Sequence, residues 1–228
     1  MAGSMTEVPV NGGVVPAYVS LPPAGSGPGV VVIQEWWGLV PHIRNVADRL
    51  AAQGFVAIAP DLYRGQETTE PDEAGKLLME LRLDQAAKDM AATVDTLLAM
   101  PETTGDGVGA IGFCAGGGLA LYLASLKPEV AAVVCYYGFP REGLRWDLSA
   151  VKGAVLGHFA EHDDWANREL ADGMERELRD AGVDVTFHHY PGTTHAFFND
   201  DRPEAHDAEA AERSWERTLA FLHDRLGG

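Results

Sequence analysis

Cys114 sits in the stretch Gly112-Phe113-Cys114-Ala115-Gly116, between an apolar run and a helical run. A small-x-nucleophile-x-small pattern permits a sharp strand-to-helix turn, because side chains two positions before and after the apex would not fit. The apex residue is strained and exposed above the sheet. The helix start behind it favours a thiolate and any oxyanion formed nearby. A cysteine nucleophile needs a base that is itself held by an acid. Cys114, then Asp163 or its neighbour Asp164, then His195 follow the chain order nucleophile, acid, histidine. Each gap leaves room for one or two strand–helix units, which brings all three groups to one sheet edge.

Other groups stand at similar places. Glu35 follows the apolar run "VVVIQ" and Asp61 follows "FVAIAP". His195 lies in "PGTTHAFF", a loop after a strand. His188 and His189 fall within a strand, where at most one faces a site. His42, His206 and His223 read as helix or loop surface. Cys135, inside "AVVCYY", reads as a buried structural thiol. His158, Glu161 and His162 match the zinc-peptidase pattern H-x-x-E-H, but that motif needs a helix to bring both imidazoles to one face. "GAVLGHF" is strand-like, so no metal site is expected, and no organic cofactor.

These residues need a scaffold, and the hydrophobic pattern supplies one. "TEVPV" and "VVPAYVSL" flank Asn11-Gly12-Gly13 and predict a hairpin. The continuous run Val30–Gln34 predicts a strand buried on both faces. "HIRNVADRLAAQGF" places Ile43, Val46, Ala47 and Leu50 on one helical face. Further strands are expected at 55–60, "VGAIGF", "VAAVVCYYG", "GAVLGHF" and "VDVTFHHY". Helices are expected near "EAGKLLMELR", at "DQAAKDMAATVDTLLAM", "AGGGLALYLAS" and "NRELADGMERELRDAG", and over 207–224. Alternating strands and helices imply one α/β domain, with about eight strands in a mostly parallel sheet and helices on both faces. Ligands bind beyond the carboxyl ends of such strands, where Glu35, Asp61, Cys114, Asp163 and His195 all lie.

The 228 residues suit one domain, taken as 5–228, and 46% hydrophobic content suits a substantial core. "MAGS" before Met5 has the look of an expression remnant and is set outside it. The net charge of −17 disfavours nucleic acid and anionic membrane as partners. No apolar run is long enough to span a bilayer, and the start lacks a signal-peptide pattern, so a cytoplasmic protein is expected. Two cysteines indicate no disulfide framework. A monomer or homodimer acting on a small molecule is expected.

The motifs "VVVIQEWWG", "APDLYRG", "VGAIGFCAGGG", "YYG", "EHDD" and "YPGTTHAFF" together resemble the dienelactone hydrolase family of α/β-hydrolases, over nearly the whole chain. The resemblance implies the α/β-hydrolase fold and a cysteine–histidine–aspartate triad of Cys114, His195 and Asp163. It implies that Glu35 lies near the resting thiol and helps deprotonate it when substrate binds. It also implies an oxyanion hole built from the backbone N–H groups of Trp36 and Ala115. The reaction implied is opening of a lactone or cleavage of a carboxylic ester, of the carboxymethylenebutenolidase type.

The sequence departs from the family where a substrate carboxylate would be held. Asn199 stands at an arginine position, Ala196 replaces a serine, and no arginine occurs between Glu70 and Lys76; Arg64, Arg82 or Lys76 are the available substitutes. Trp37, Tyr137, Phe197 and Asn199 are the expected substrate-binding residues. The paired Trp36 and Trp37 suit an apolar or aromatic acyl group. A redox-sensing thiol or binding protein on a hydrolase scaffold is the alternative reading. A serine-type peptidase is weakened by the cysteine at the elbow.

Overall fold

A computed structural model describes residues 2–140 and 147–227. Eight strands, β1 (Ser4–Val10), β2 (Gly13–Ser20), β3 (Gly27–Ile33), β4 (Val56–Pro60), β5 (Thr103–Phe113), β6 (Val130–Tyr136), β7 (Ala154–His162) and β8 (Val185–Thr194), form one sheet in the order β1-β2-β4-β3-β5-β6-β7-β8. β1 and β2 pair antiparallel, as does β2 with β4, and every other pair is parallel. Six helices accompany them: α1 (Pro41–Ala52), α2 (Pro71–Glu80), α3 (Leu83–Ala99), α4 (Ala115–Leu126), α5 (Arg168–Asp180) and α6 (Ala208–Leu226).

The expected strands and helices are all present. β3 is a run of Val and Ile with no exposed surface from Val30 to Ile33, which only cover on both faces can provide. Space beside Gly29 is filled by Leu97 of α3, whereas Gly109, opposite Val30, faces Leu222 and Leu226 of α6. Successive residues of a strand point to opposite faces, so α3 and α6 cover opposite sides. α1 joins the α6 side through Arg49, whose guanidinium stacks 4.4 Å from the Trp215 ring. Helix starts follow local chemistry. Pro41 opens α1 and Pro71 opens α2, and the Asn167 side chain accepts from Leu170 N at 3.0 Å to cap α5.

Two expectations are corrected. Ser4, set outside the domain by sequence, pairs with Val19 in β1, and Gly3 N donates to Asp48 Oδ1 at 2.9 Å; Met1 lies outside the described residues. His42, expected at the surface, is 1% exposed, with Phe113 and Phe198 packed edge-on against its ring. Among the described residues, no helix is long and apolar enough to cross a membrane.

The sheet register brings chain-distant residues together. His162 pairs with Thr194 at the end of β7 and β8, so the next residues, Asp163 and His195, emerge side by side. Phe113 pairs with Tyr136, so Cys114 and Tyr137 emerge side by side in the same way.

Below this edge runs a buried polar relay. His158 Nδ1 meets Tyr190 OH at 2.8 Å, and its Nε2 meets Thr218 Oγ1 at 3.1 Å; Tyr136 OH lies 2.9 Å from the same threonine hydroxyl. Burial, then the nearby His188 and Arg217 charges, pushes His158 well below the usual histidine range. An unfolded chain takes up that proton below pH 6.5 and the folded chain does not. Stability is therefore complete above pH 6.5 and falls with pH below it, with a slope approaching about 1.4 kcal/mol per pH unit for this one site. Urea midpoints measured from pH 7 to 4.5 should show that slope, and His158→Gln should flatten it.

Candidate active site

The turn from β5 into α4 is as tight as the glycine spacing predicts. A Cβ on Gly112 would collide with the Gly116 carbonyl, and one on Gly116 with the carbonyls of Ile33 and Gln34. Two absent side chains therefore let the first turn of α4 rest on the end of β3. Cys114, at the apex, has φ 53° and ψ −122°, a conformation that side-chain-bearing residues rarely adopt. Its N–H donates to Tyr136 O at 3.0 Å, which anchors the apex to β6, and its thiol is partly exposed. Among the described residues four non-glycine residues have positive φ, and three of them, Cys114, Tyr137 (37°) and Ala196 (65°), stand at or just beyond the ends of β5, β6 and β8. Backbone strain gathers where the register gathers the polar groups.

His195 Nδ1 lies 2.7 Å from Asp163 Oδ2. The other carboxylate oxygen of Asp163 accepts from Trp165 N and Ala166 N, each at 2.8 Å, so the acid is fixed on both sides. The Cys114 thiol interacts with the same imidazole. Burial works against a charged ring. Asp163 and the Cys114 sulfur outweigh it, and hold the His195 imidazolium up to about 10. Burial also opposes charge on Asp163, yet His195 and the two amides keep it below the usual carboxylate range. Asp164 is exposed to solvent.

Glu35, at the end of β3, is 2% exposed. Its Oε2 accepts from Asn199 Nδ2 at 2.6 Å and its Oε1 from Tyr137 OH at 3.4 Å. Burial raises Tyr137 well above the ordinary phenol range, and the neighbouring Glu35 and Cys114 raise it further. Among the described residues, no backbone carbonyl accepts from Trp36 N or Ala115 N. Both belong to the segments that Gly116 brings together.

Residues 15–226 match the family model described as the dienelactone hydrolase family. The chain belongs to the dienelactone hydrolase family. The protein named usf of Aquifex pyrophilus is 38% identical over 98% of this chain and 99% of that one. A protein of Aquifex aeolicus, named as a candidate carboxymethylenebutenolidase, is 36% identical over 98% and 99%. A crystal structure named as a candidate dienelactone hydrolase of Klebsiella pneumoniae superposes with a TM-score of 0.87 at 28% identity, over 96% of this chain and 97% of that one. The fold is that of the α/β-hydrolase superfamily, and the family is one of ester and lactone hydrolases.

For a dienelactone hydrolase family member, the surroundings of the thiol differ from expectation in several ways. Phe197 has no exposed surface and packs among Tyr136, Tyr137 and Tyr190, so it is core rather than a substrate contact. Asn199 and Tyr137 are each 1% exposed and spend their polar groups on Glu35. Trp37 is 8% exposed, its face covered by the Arg202 guanidinium at 3.7 Å, while Trp36 keeps partial exposure. Asp61 accepts from Tyr63 N and Gly65 N and so closes its own turn; it belongs to that loop and not to the site. His158 and His162 both lie on strand β7, the first buried and the second exposed. The Cys135 thiol is buried, donates to Gly138 O at 3.2 Å, and is pushed by burial up to about 12.

Sequence reasoning missed Arg202 and the pairing of His42 Nδ1 with Asp200 Oδ1 at 2.9 Å. Spacing carried no signal for either, because the partners lie far apart along the chain. The coupled pair has a spectroscopic consequence. His195 should remain an imidazolium from pH 7 to 9 in nitrogen-detected NMR and titrate near 10. Cys114→Ala should lower that midpoint by at least about one pH unit, since it removes a sulfur that supports the charged ring.

Proposed function

We propose that the protein hydrolyses lactones and carboxylic esters through a Cys114 thiolate, with His195 and Asp163 completing the triad. The supporting observation is the strained Cys114 at the head of α4, beside an imidazole whose Nδ1 is held 2.7 Å from Asp163. The thiolate attacks the carbonyl carbon. The oxyanion is met by the N–H groups of Trp36 and Ala115, which would be worth several kcal/mol in a water-poor site, roughly 2.7–4 per donor. His195 gives its proton to the leaving alkoxide or enolate and then takes one from water, which cleaves the thioester. Asp163 holds the ring in the tautomer that points Nε2 at the sulfur and stabilises its charge.

Glu35 has a separate role in this reading. It accepts a proton near the thiol as substrate enters, so that the nucleophile is fully formed only with a carbonyl present. The partly exposed Trp36 forms an apolar wall for the acyl group. No step needs a metal or organic cofactor.

Hydrolysis of p-nitrophenyl acetate and of an enol lactone tests the proposal. Cys114→Ala and His195→Ala should each lower kcat by about a thousandfold or more, and Asp163→Asn by at least about a hundredfold. Asp164→Asn, a change at an exposed carboxylate, should stay within about twofold. Unchanged turnover in Cys114→Ala overturns the reading. Rapid peroxide oxidation of Cys114 in a protein without esterase activity would favour the redox-sensing thiol instead.

A further inference from the structure

His42 stands in the first turn of α1, buried, with its ring set against two phenylalanines. The Phe113 ring lies 6.0 Å away and the Phe198 ring 5.9 Å, and those two stack on each other at 5.4 Å. Phe113 is the residue before Cys114, and Phe198 comes three residues after His195. One imidazole therefore packs against both the segment that carries the thiol and the segment that carries the base.

The polar attachment of that ring is at one end. Its Nδ1 lies 2.9 Å from Asp200 Oδ1, two residues beyond Phe198, and its Nε2 has no hydrogen-bond partner among the described residues. Burial opposes charge on Asp200, yet His42 and then Arg49 hold its carboxyl below the usual range, so the carboxylate accepts and Nδ1–H donates. A phenylalanine would fill the same space without burying an unpaired ring nitrogen. What the histidine adds is the bond to Asp200. Two turns further along α1, Arg49 reaches the same segment, its guanidinium 5.0 Å from the centre of the Phe198 ring.

We infer that His42 is a positioning residue for the thiol–imidazole pair: its bond to Asp200 and its packing on Phe113 and Phe198 set how closely the His195 loop approaches the Cys114 apex. The inference rests on the hydrolase reading above. The loop is built to transmit such a hold. Positive φ at Ala196 turns the chain directly after His195, and Asn199 N donates to Ala196 O at 2.9 Å, which closes residues 196–199 into one turn. Asp200 is the next residue, so a restraint on it reaches His195 through that single turn. Proton transfer between sulfur and ring depends steeply on their separation, and about 1 Å of misplacement can cost about a hundredfold in rate. His42 acts through the loop and takes no proton itself.

Three variants test this on p-nitrophenyl acetate. Asp200→Ala removes the acceptor at a side chain that is 53% exposed, so it should fold even where a change at buried His42 would not. Asp200→Asn keeps an oxygen for the His42 N–H, while it removes the charge facing Arg49 just as alanine does. His42→Phe keeps the ring packing and drops the bond. Asp200→Ala and His42→Phe should lower kcat by at least about tenfold with KM within about twofold, and Asp200→Asn should stay within about threefold of the unmodified protein. Nitrogen-detected NMR supplies a readout that lost stability alone would not move. The His195 midpoint, about 10 in the unmodified protein, should fall by at least about half a pH unit in Asp200→Ala and hold in Asp200→Asn, because only the first lets the ring drift from the Cys114 sulfur. A kcat within about twofold in Asp200→Ala, an unchanged midpoint there, or an equal loss in Asp200→Asn overturns the positioning role and leaves the hydrolase reading standing. Absence of Cys114-dependent turnover in the unmodified protein overturns the hydrolase reading, and the NMR comparison then decides by itself whether His42 and Asp200 place the ring.

Discussion

The close approach of the first turn of α4 to the end of β3 is the constraint on which the site depends. It exists because residues 112 and 116 have no side chains; at either one, a methyl group would strike backbone carbonyls. That approach sets the start of α4 against the carbonyls of Ile33 and Gln34, immediately before Glu35 and Trp36. The strain at Cys114, of the order of 1–3 kcal/mol, is held in place by what surrounds it. α4 is buried along most of its length, its N-terminal apex hydrogen-bonds to β6, and the Gly138 backbone presses against the Cys114 carbonyl. Relaxing the apex would require moving a packed helix.

Charge is handled differently at the two carboxylates of the site. Asp163 has a cationic partner and two amide donors, so its anion is secured and its position fixed. Glu35 has an amide and a long hydrogen bond from a phenol. The first arrangement suits a group whose charge must persist while its neighbour gains and loses a proton. The second leaves a carboxylate whose hydrogen-bond partners among the described residues are neutral. The same sheet edge thus holds one carboxylate paired with an imidazole and one paired with neutral groups.

Much of this was legible in the sequence because it is encoded locally. Strand runs, helix faces and the glycine pair around Cys114 all follow from neighbours a few residues apart. The relation of Asp163 to His195 was legible at one remove, since both follow strands. The register His162 to Thr194 then sets them side by side. What could not be read were contacts between distant residues of ordinary type. Asn199 to Glu35 spans 164 residues and His42 to Asp200 spans 158, and neither leaves a spacing pattern. Phe197 was misplaced for the same reason, because a phenylalanine next to a histidine reads equally as core or as binding wall. Asp61 was over-read, because a residue after a strand is as often a turn former as a reactive group.

Those distant contacts answer a geometric problem. In the sheet, β6 and β7 separate β5 from β8, so Cys114 and the end of β8 start roughly 14 Å apart at ordinary strand spacing. The imidazole must therefore be carried back across the sheet edge. Positive φ at Ala196 turns the chain immediately after His195. Phe197 and Phe198 then sink into the aromatic core beneath, leaving at most 1% of either exposed. The next residues fasten the loop from three directions: Asn199 to Glu35 on β3, Asp200 to His42 on α1, and Arg202 to Trp37 and Thr69. All four partners lie between residues 35 and 69, in the segments that follow β3 and β4. The segment bearing Trp36 and the segment bearing His195 are thereby tied to each other directly, not only through the sheet. A displacement of one carries the other.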